Sequence, residues 1–369
     1  MKSSHQPTTL ILLSVVVALV VVTVIVTGAV RNTSSPSAQE GRVQTSDISD
    51  SSDNSAVTRT GQDTVYPLYL TTMTHMEGNW DFVLESEDAF LRQVERLEFG
   101  MDLAEDYEAM LTVETEEPFA RANVKWNRNV MKEILERGHG VGSHCDRGSR
   151  GEGTYEELVE ELALVKSLVD ALVGQENNRG CSGAGGPTDW AQALVEAGFE
   201  YVNGVVGFHM LAFPLSERPD GWNDHAIYNE HYHDGVPVDL EESIHLFRLA
   251  NTIDWEPDET GIVVSSGEFG QLTYLAEGDR ETCIEEGCPL TEEDVEAAVE
   301  IILEAAELHD PSRVGKAAFY FPTSDFVEEN EEVLRLFFSE MQRLEEDGVV
   351  QWGSQLDVYN TYLDWENAQ

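Results

Sequence analysis

Two short stretches of the chain combine residue types that hold divalent metals. Leu70 to Gly78 reads LTTMTHMEG, and Gly138 to Asp146 reads GHGVGSHCD. Side chains alternate along extended backbone, so His75 and Glu77 share a face, and so do His144 and Asp146. If the two stretches end neighbouring strands, two imidazoles and two carboxylates face one pocket. That mixture suits a catalytic zinc or similar divalent ion with three protein ligands and an open position for water. The expected ligands are His75, Glu77 and His144. A single histidine at such a place is more often a hydrogen-bonded structural residue; the repeated i, i+2 spacing is what raises the metal reading to equal weight.

Elements that could position these residues alternate along the chain. Val65–Thr72, Ala109–Val113, Gly140–Ser143, Tyr201–Val206, Gly261–Ser265 and Lys316–Phe321 read as strands. Between them, helical spacing covers Asp88–Leu103, Val130–Arg137, Thr154–Val173, Trp190–Ala197, Glu292–Leu308 and Glu329–Leu344. Thr154-Tyr155-Glu156-Glu157 is a capping-box sequence. Repeated βα units with short connections imply a parallel sheet. The expected fold is α/β, a (β/α) barrel. Reactive groups of such barrels lie where strands run into loops. Residues 208–260 interrupt the rhythm and read as an insertion on the functional face.

The chain carries 22 Lys plus Arg against 70 Asp plus Glu, a formal charge of -48, and nearly all of it falls after residue 64. Such a field repels phosphate backbones and excludes nucleic acid as a partner. An apolar content of 41% with 7 Trp and 14 Phe separates it from disordered acidic chains. The charge, with 17 Arg to 5 Lys, fits adaptation to concentrated salt, where repulsion between surface carboxylates is screened; an acidic protein of an ordinary compartment is the other reading.

Leu10 to Val30 is a 21-residue run without a charge. As a helix it spans about 31 Å, close to the hydrocarbon thickness of a bilayer. Residues 1–30 are therefore expected to be a transmembrane anchor, with a cleaved signal as the alternative. Residues 31–64, with 13 Ser or Thr, read as a disordered stalk, leaving residues 65–369 as the folded domain. The expected location is the cell membrane, single-pass, with the acidic domain outside. Cys283 and Cys288 bracket a polar loop and read as a small disulfide.

Lys132-Glu133-Ile134-Leu135-Glu136-Arg137-Gly138-His139-Gly140-Val141-Gly142-Ser143-His144 resembles the second motif of the NodB-like polysaccharide deacetylases (carbohydrate esterase family four). Arg179–Gly186 and Ala193–Phe199 are similar to the elements that follow it there, so that the resemblance covers residues 65 to about 210. It implies a (β/α) barrel of the glycoside hydrolase/deacetylase type, seven-stranded and distorted, and a metal-dependent hydrolase that removes N- or O-acetyl groups from an extracellular glycan. It also implies a carboxylate base, for which Asp146 is the candidate with Glu268 as a second, and an arginine, Arg179, that orients Asp146 or another carboxylate. The chain departs from the pattern at three places. The family's paired aspartates fall on Met76 and Glu77, its second metal histidine on Gly148, and its last-motif histidine on Phe321-Pro322. These departures support an alternative, a deacetylase-like glycan-binding or scaffold protein without activity.

Cys145 and Cys181 lie in consecutive motifs of that resemblance, on strand ends expected to be neighbours, and a disulfide between them is expected in an oxidising compartment; two unpaired cysteines are the alternative. His209 and His225 are candidates to replace the absent catalytic acid. Glu230–Asp234 contains His231 and His233, either a second metal site or a loop that meets substrate. Trp190, Trp222 and Trp255 either stack on sugar rings or pack.

Overall fold

Ten strands form one curled sheet in the order β6-β7-β5-β4-β3-β2-β1-β9-β8, with β10 on the other contact of β1. They are β1 Leu68–Met76, β2 Thr112–Thr115, β3 Gly140–Cys145, β4 Gly180–Gly183, β5 Tyr201–Asn203, β6 Phe247–Leu249, β7 Ile262–Ser265, β8 Glu268–Gln271, β9 Gly315–Tyr320 and β10 Gln351–Trp352. All pairings are parallel except that of β6 with β7. This computed structural model describes residues 64–77, 82–146, 153–232, 234–235, 243–253, 258–265, 268–276 and 289–369. The anchor (1–30), the stalk up to residue 63, Gly148, His233, Trp255 and the Cys283–Cys288 loop lie outside them. Among the described residues no helix is long and apolar enough to cross a membrane.

The six strands read from the sequence correspond to β1, β2, β3, β5, β7 and β9, and β4, at the motif residues 179–186, completes a run of seven, β7-β5-β4-β3-β2-β1-β9. The count is ten because β6, β8 and β10, each two to four residues long, add to this run. They carry too few residues to show a period in sequence. The nine helices among the described residues are α1 Glu87–Glu105, α2 Glu117–Lys125, α3 Val130–Glu136, α4 Tyr155–Val173, α5 Trp190–Ala197, α6 Asp224–Asn229, α7 Glu292–Leu308, α8 Glu331–Glu346 and α9 Gln355–Ala368. Helix α4 begins at the expected capping box: Thr154 and Glu157 hydrogen-bond each other's backbone N–H.

Strand alternation separates a shell from an interior. On β1, Leu68, Leu70 and Met76 join the main apolar cluster with α1, α8 and their neighbours. Tyr69, Thr71, Met73 and His75 alternate with them and face the barrel interior. On β9, Ala317, Phe319 and the following Phe321 belong to the shell, leaving Lys316, Ala318 and Tyr320 on the inner side. Helix α9 closes the bottom. Tyr359 and Tyr362 pack with Tyr69, Tyr201 and Val263, and Gln355 donates to Thr71 Oγ1 at 3.0 Å.

Strand β2 starts three residues later than its apolar residues suggest. Ala109 to Leu111 lead into it, and Thr112, Glu114 and Glu116 take the inner positions. Glu114 is fully buried, and β3 has a glycine beside it. A Cβ on Gly142 would sit 3.2 Å from Glu114 Cγ, tighter than ordinary contact, so the absence of a side chain makes room for the carboxylate.

Candidate metal centre

The parallel registers bring the ends of β1 and β3 to the two sides of β2, with His75 opposite Glu114 and Glu114 opposite Gly142. Both expected i, i+2 pairs are realised. His75 and Glu77 face the interior while Met76, between them, is fully buried in the shell. The His75 and His144 rings stack with centroids 3.7 Å apart. Glu77 Oε1 lies 3.9 Å from His75 Nδ1 and 3.9 Å from His144 Nε2. Donor atoms of all three residues fall within 4.8 Å of one another. Ligands about 2.1 Å from a tetrahedral ion stand about 3.4 Å apart, so this set fits a divalent cation after a small contraction.

The proton positions of both imidazoles follow from their inner contacts. His144 Nδ1 lies 2.9 Å from Ser182 Oγ, and His75 Nε2 lies 3.2 Å from Glu114 Oε2 and 3.2 Å from Ser182 Oγ. With these inner nitrogens protonated, the lone pairs of His75 Nδ1 and His144 Nε2 both point toward Glu77. Glu114 places its buried Oε2 beside His75 Nε2, a carboxylate behind the imidazole as candidate metal sites often carry. It also accepts from Asn203 Nδ2 at 2.5 Å. Burial pushes its carboxyl up, against the hydrogen bonds from Ser182 and Asn203.

Above these groups a cavity of about 580 Å³ is bordered by His75, Glu77, His144, Asp146 and Glu268, with Tyr320 beside His75. Phe208, Tyr228 and Tyr232 form an aromatic wall on the side built by residues 207–232. Residues of the segment that interrupts the βα rhythm thus border the cavity. Asp146 is exposed at the rim. Glu268, at the start of β8, is half-buried, and burial raises its carboxyl, offset by the nearby Lys316 ammonium. Lys316 is fully buried and donates to Ser265 O and to Gln355 Oε1; burial lowers its ammonium.

Arg179 is not with this group. It immediately precedes β4, at the strand's opposite end from Ser182 and Gly183. There it donates to both carboxylate oxygens of Glu200 and, at 3.1 Å, to Asn360, with its guanidinium 4.7 Å from the Tyr359 ring centroid. The expectation that it orients Asp146 is therefore corrected, because strand β4 separates the two ends. Nor does His209 offer a free acid. Its Nδ1 accepts from Val206 N–H at 3.2 Å, its Nε2 faces Gly183 O at 2.6 Å, and burial lowers it to about 4. His225 is exposed beside Asn229. Trp190 and Trp222 are buried packing residues rather than sugar platforms. His231 stacks on Trp222 with centroids 4.6 Å apart and pairs with Asp234 at 3.0 Å.

Cys145 and Cys181 are joined as a disulfide between β3 and β4. Two functional positions escaped the sequence reading, Glu114 and Glu116. They carry the same i, i+2 signature at the end of β2 as the pairs on β1 and β3. Their strand was assigned to the apolar residues before them, which hid the signature. Glu116 lies with His144 and Asp146 in a second group whose donor atoms fall within 4.8 Å of one another. Burial and the charges of Glu77 and Asp146 push its carboxyl to about 8.

No protein-family profile and no curated protein sequence matches the chain. Solved structures do. The "putative polysaccharide deacetylase" of Mycobacterium smegmatis superposes with a TM-score of 0.50 at 11% identity, over 82% of this chain and 94% of that one. Puue allantoinase gives 0.50 at 12% identity, over 79% and 88%. A 4-alpha-glucanotransferase of Thermococcus litoralis gives 0.47 at 14% identity; 80% of this chain matches 40% of that longer protein. The chain thus shares the (β/α)-barrel fold of these solved structures.

Proposed function

We propose that this divergent deacetylase-type barrel is a metal-dependent hydrolase that removes N- or O-acetyl groups from a glycan. The convergence of His75, Glu77 and His144 at the floor of the cavity carries the reading. Their two nitrogens and one carboxylate are donors for a divalent ion, with zinc the first choice. When bound, such an ion polarises an acyl carbonyl and acidifies a water molecule. The protein's own part is to hold the donors and manage protons. Asp146, exposed at the rim, takes a proton from the attacking water, and Glu268 is the second carboxylate that borders the cavity. Phe208, Tyr228 and Tyr232 offer ring faces on which a sugar can stack. The Cys145–Cys181 disulfide and the apolar run of residues 10–30 support a cell-surface location, and the -48 charge supports work at high salt.

A second reading, a glycan-binding barrel without activity, draws on Met76 and Phe321. Both occupy family positions for proton-transfer groups, and both are buried in the shell. Metal analysis of the purified chain and of His144→Ala, followed by acetate release from acetylated oligosaccharides, separates the two. Bound metal lost in the variant, with acetate released by the native chain, supports the hydrolase. Metal content unaffected by His144→Ala removes the proposed site, and a metal-loaded native chain that releases no acetate leaves the binding protein.

A further inference from the structure

Glu116 occupies a position for which its own helix gives no reason. It is the N-cap residue of α2, where Ser, Thr, Asp or Asn normally accept a hydrogen bond from the first turn. Its side chain makes no such bond. The backbone N–H instead donates to Met76 O at 3.3 Å, fixing Glu116 against the end of β1. The residue is only 8% exposed, and its Oε2 is buried without a hydrogen-bond partner. A carboxylate held this way is costly unless a cation or donor meets it. The register of β2 with β3, Thr115 opposite Ser143, sets Glu116 level with His144. One oxygen lies within 4.8 Å of a ring nitrogen of His144 and of a carboxylate oxygen of Asp146.

From this we infer that Glu116 is a further ligand of the ion proposed to sit at His75, Glu77 and His144. The inference rests on that reading and deepens it. His144 Nδ1 is turned to Ser182, and Nε2 is the nitrogen on the Glu77 side. His144 belongs both to the donor group with His75 and Glu77 and to the group with Glu116 and Asp146, so an ion held on His144 has Glu77 on its β1 side and Glu116 on its β2 side. The orphan oxygen then acquires its partner, and the number of protein donors rises from three to four. A site with two carboxylates and two imidazoles also accepts metals of higher coordination number than tetrahedral zinc.

The test uses the full chain stripped of metal and titrated with cobalt(II), followed by calorimetry and visible absorption. Glu116→Gln is isosteric with a protonated glutamic acid, so it preserves a merely structural role. The expected result is an affinity loss of about tenfold or more, as ligand-supporting groups typically give. The cobalt absorption band should also change as one oxygen donor leaves. Affinity and spectrum equal to those of the native chain would overturn the assignment. Should Glu116→Gln fail to fold by circular dichroism, Glu116→Asp, which keeps the charge but withdraws the oxygens, gives the same two readouts. His144→Ala distinguishes the levels. If it abolishes cobalt binding while both Glu116 variants bind as the native chain does, only the role of Glu116 falls. If it leaves binding intact, the metal centre itself falls.

Discussion

Ser182 Oγ stands 2.9 Å from His144 Nδ1 and 3.2 Å from His75 Nε2, one hydroxyl behind both metal-facing rings. Strand β4 delivers it there because His144 pairs in register with Ser182. The hydroxyl therefore sets which nitrogen of each ring faces the cavity. Ser182→Ala should lower metal affinity about 10- to 100-fold while leaving the melting temperature of the metal-free chain within a few degrees. Competition against a chelating dye measures the first and a thermal melt the second; unchanged affinity would show that the rings hold their orientation without it.

Met76 stands where the resembled motif has an aspartate, and placing one there should not add activity. Its side chain is fully buried among apolar residues on the face of β1 opposite His75. Met76→Asp places a carboxylate in that shell and should cost about 3 kcal/mol or more, with no gain in hydrolysis. Denaturant titration beside an acetate-release assay checks both halves. A stable, more active variant would mean that the residue can turn toward the cavity.

Arg179 should matter for stability and not for metal. Arg179→Ala removes the pairing with Glu200 and the stacking on Tyr359 at the closed end of the barrel. With both ionic groups partly exposed, the expected loss is about 1–2 kcal/mol. Metal affinity should match the native chain. A loss of metal without a loss of stability would place the arginine back in the site.

Asp325 gives a pH signature away from the cavity floor. It is 7% exposed and accepts from Thr273 Oγ1 at 2.6 Å, and burial raises its carboxyl to about 6. An unfolded aspartate titrates near pH 3.9, so between about pH 4 and 6 the folded chain holds a proton that the unfolded chain has released. This group therefore costs stability progressively as pH rises through that window, by at most about 3 kcal/mol above it. Asp325→Asn should remove that slope, so its stability relative to the native chain rises from pH 4 to 6 and then levels off. Melting curves across that range measure the difference. A flat difference would mean that the carboxyl is ordinary.

The sequence was most informative where one period covered a long element. Helix α4 with its capping box, and α5 and α7 at their expected bounds, follow from apolar spacing alone. The i, i+2 pairs of β1 and β3 were legible because each histidine and its carboxylate sit on a strand end beside hydrophobic partners. Glu114 and Glu116 were not, since a buried acid within TVETEE looks like a solvated turn until Asn203, Ser182 and His75 are seen around it. Arg179 was misplaced for another reason: a motif gives order along the chain but not which end of a short strand a residue occupies. Helix α9 was missed because its buried face is tyrosine-rich and meets the barrel floor rather than a broad apolar layer.

The pairing of β1 has a consequence for biosynthesis. Its lower half lies between β9 and β10, with Leu68 opposite Gly315 and Tyr69 opposite Gln351. A ribosome delivers β1 long before these two partners, so the strand that carries His75 waits with an open edge in the meantime. Contacts this distant in sequence slow barrel closure and expose the edge to other nascent chains. Stalled or truncated products ending before Gly315 should therefore be the aggregating species in a cell-free synthesis.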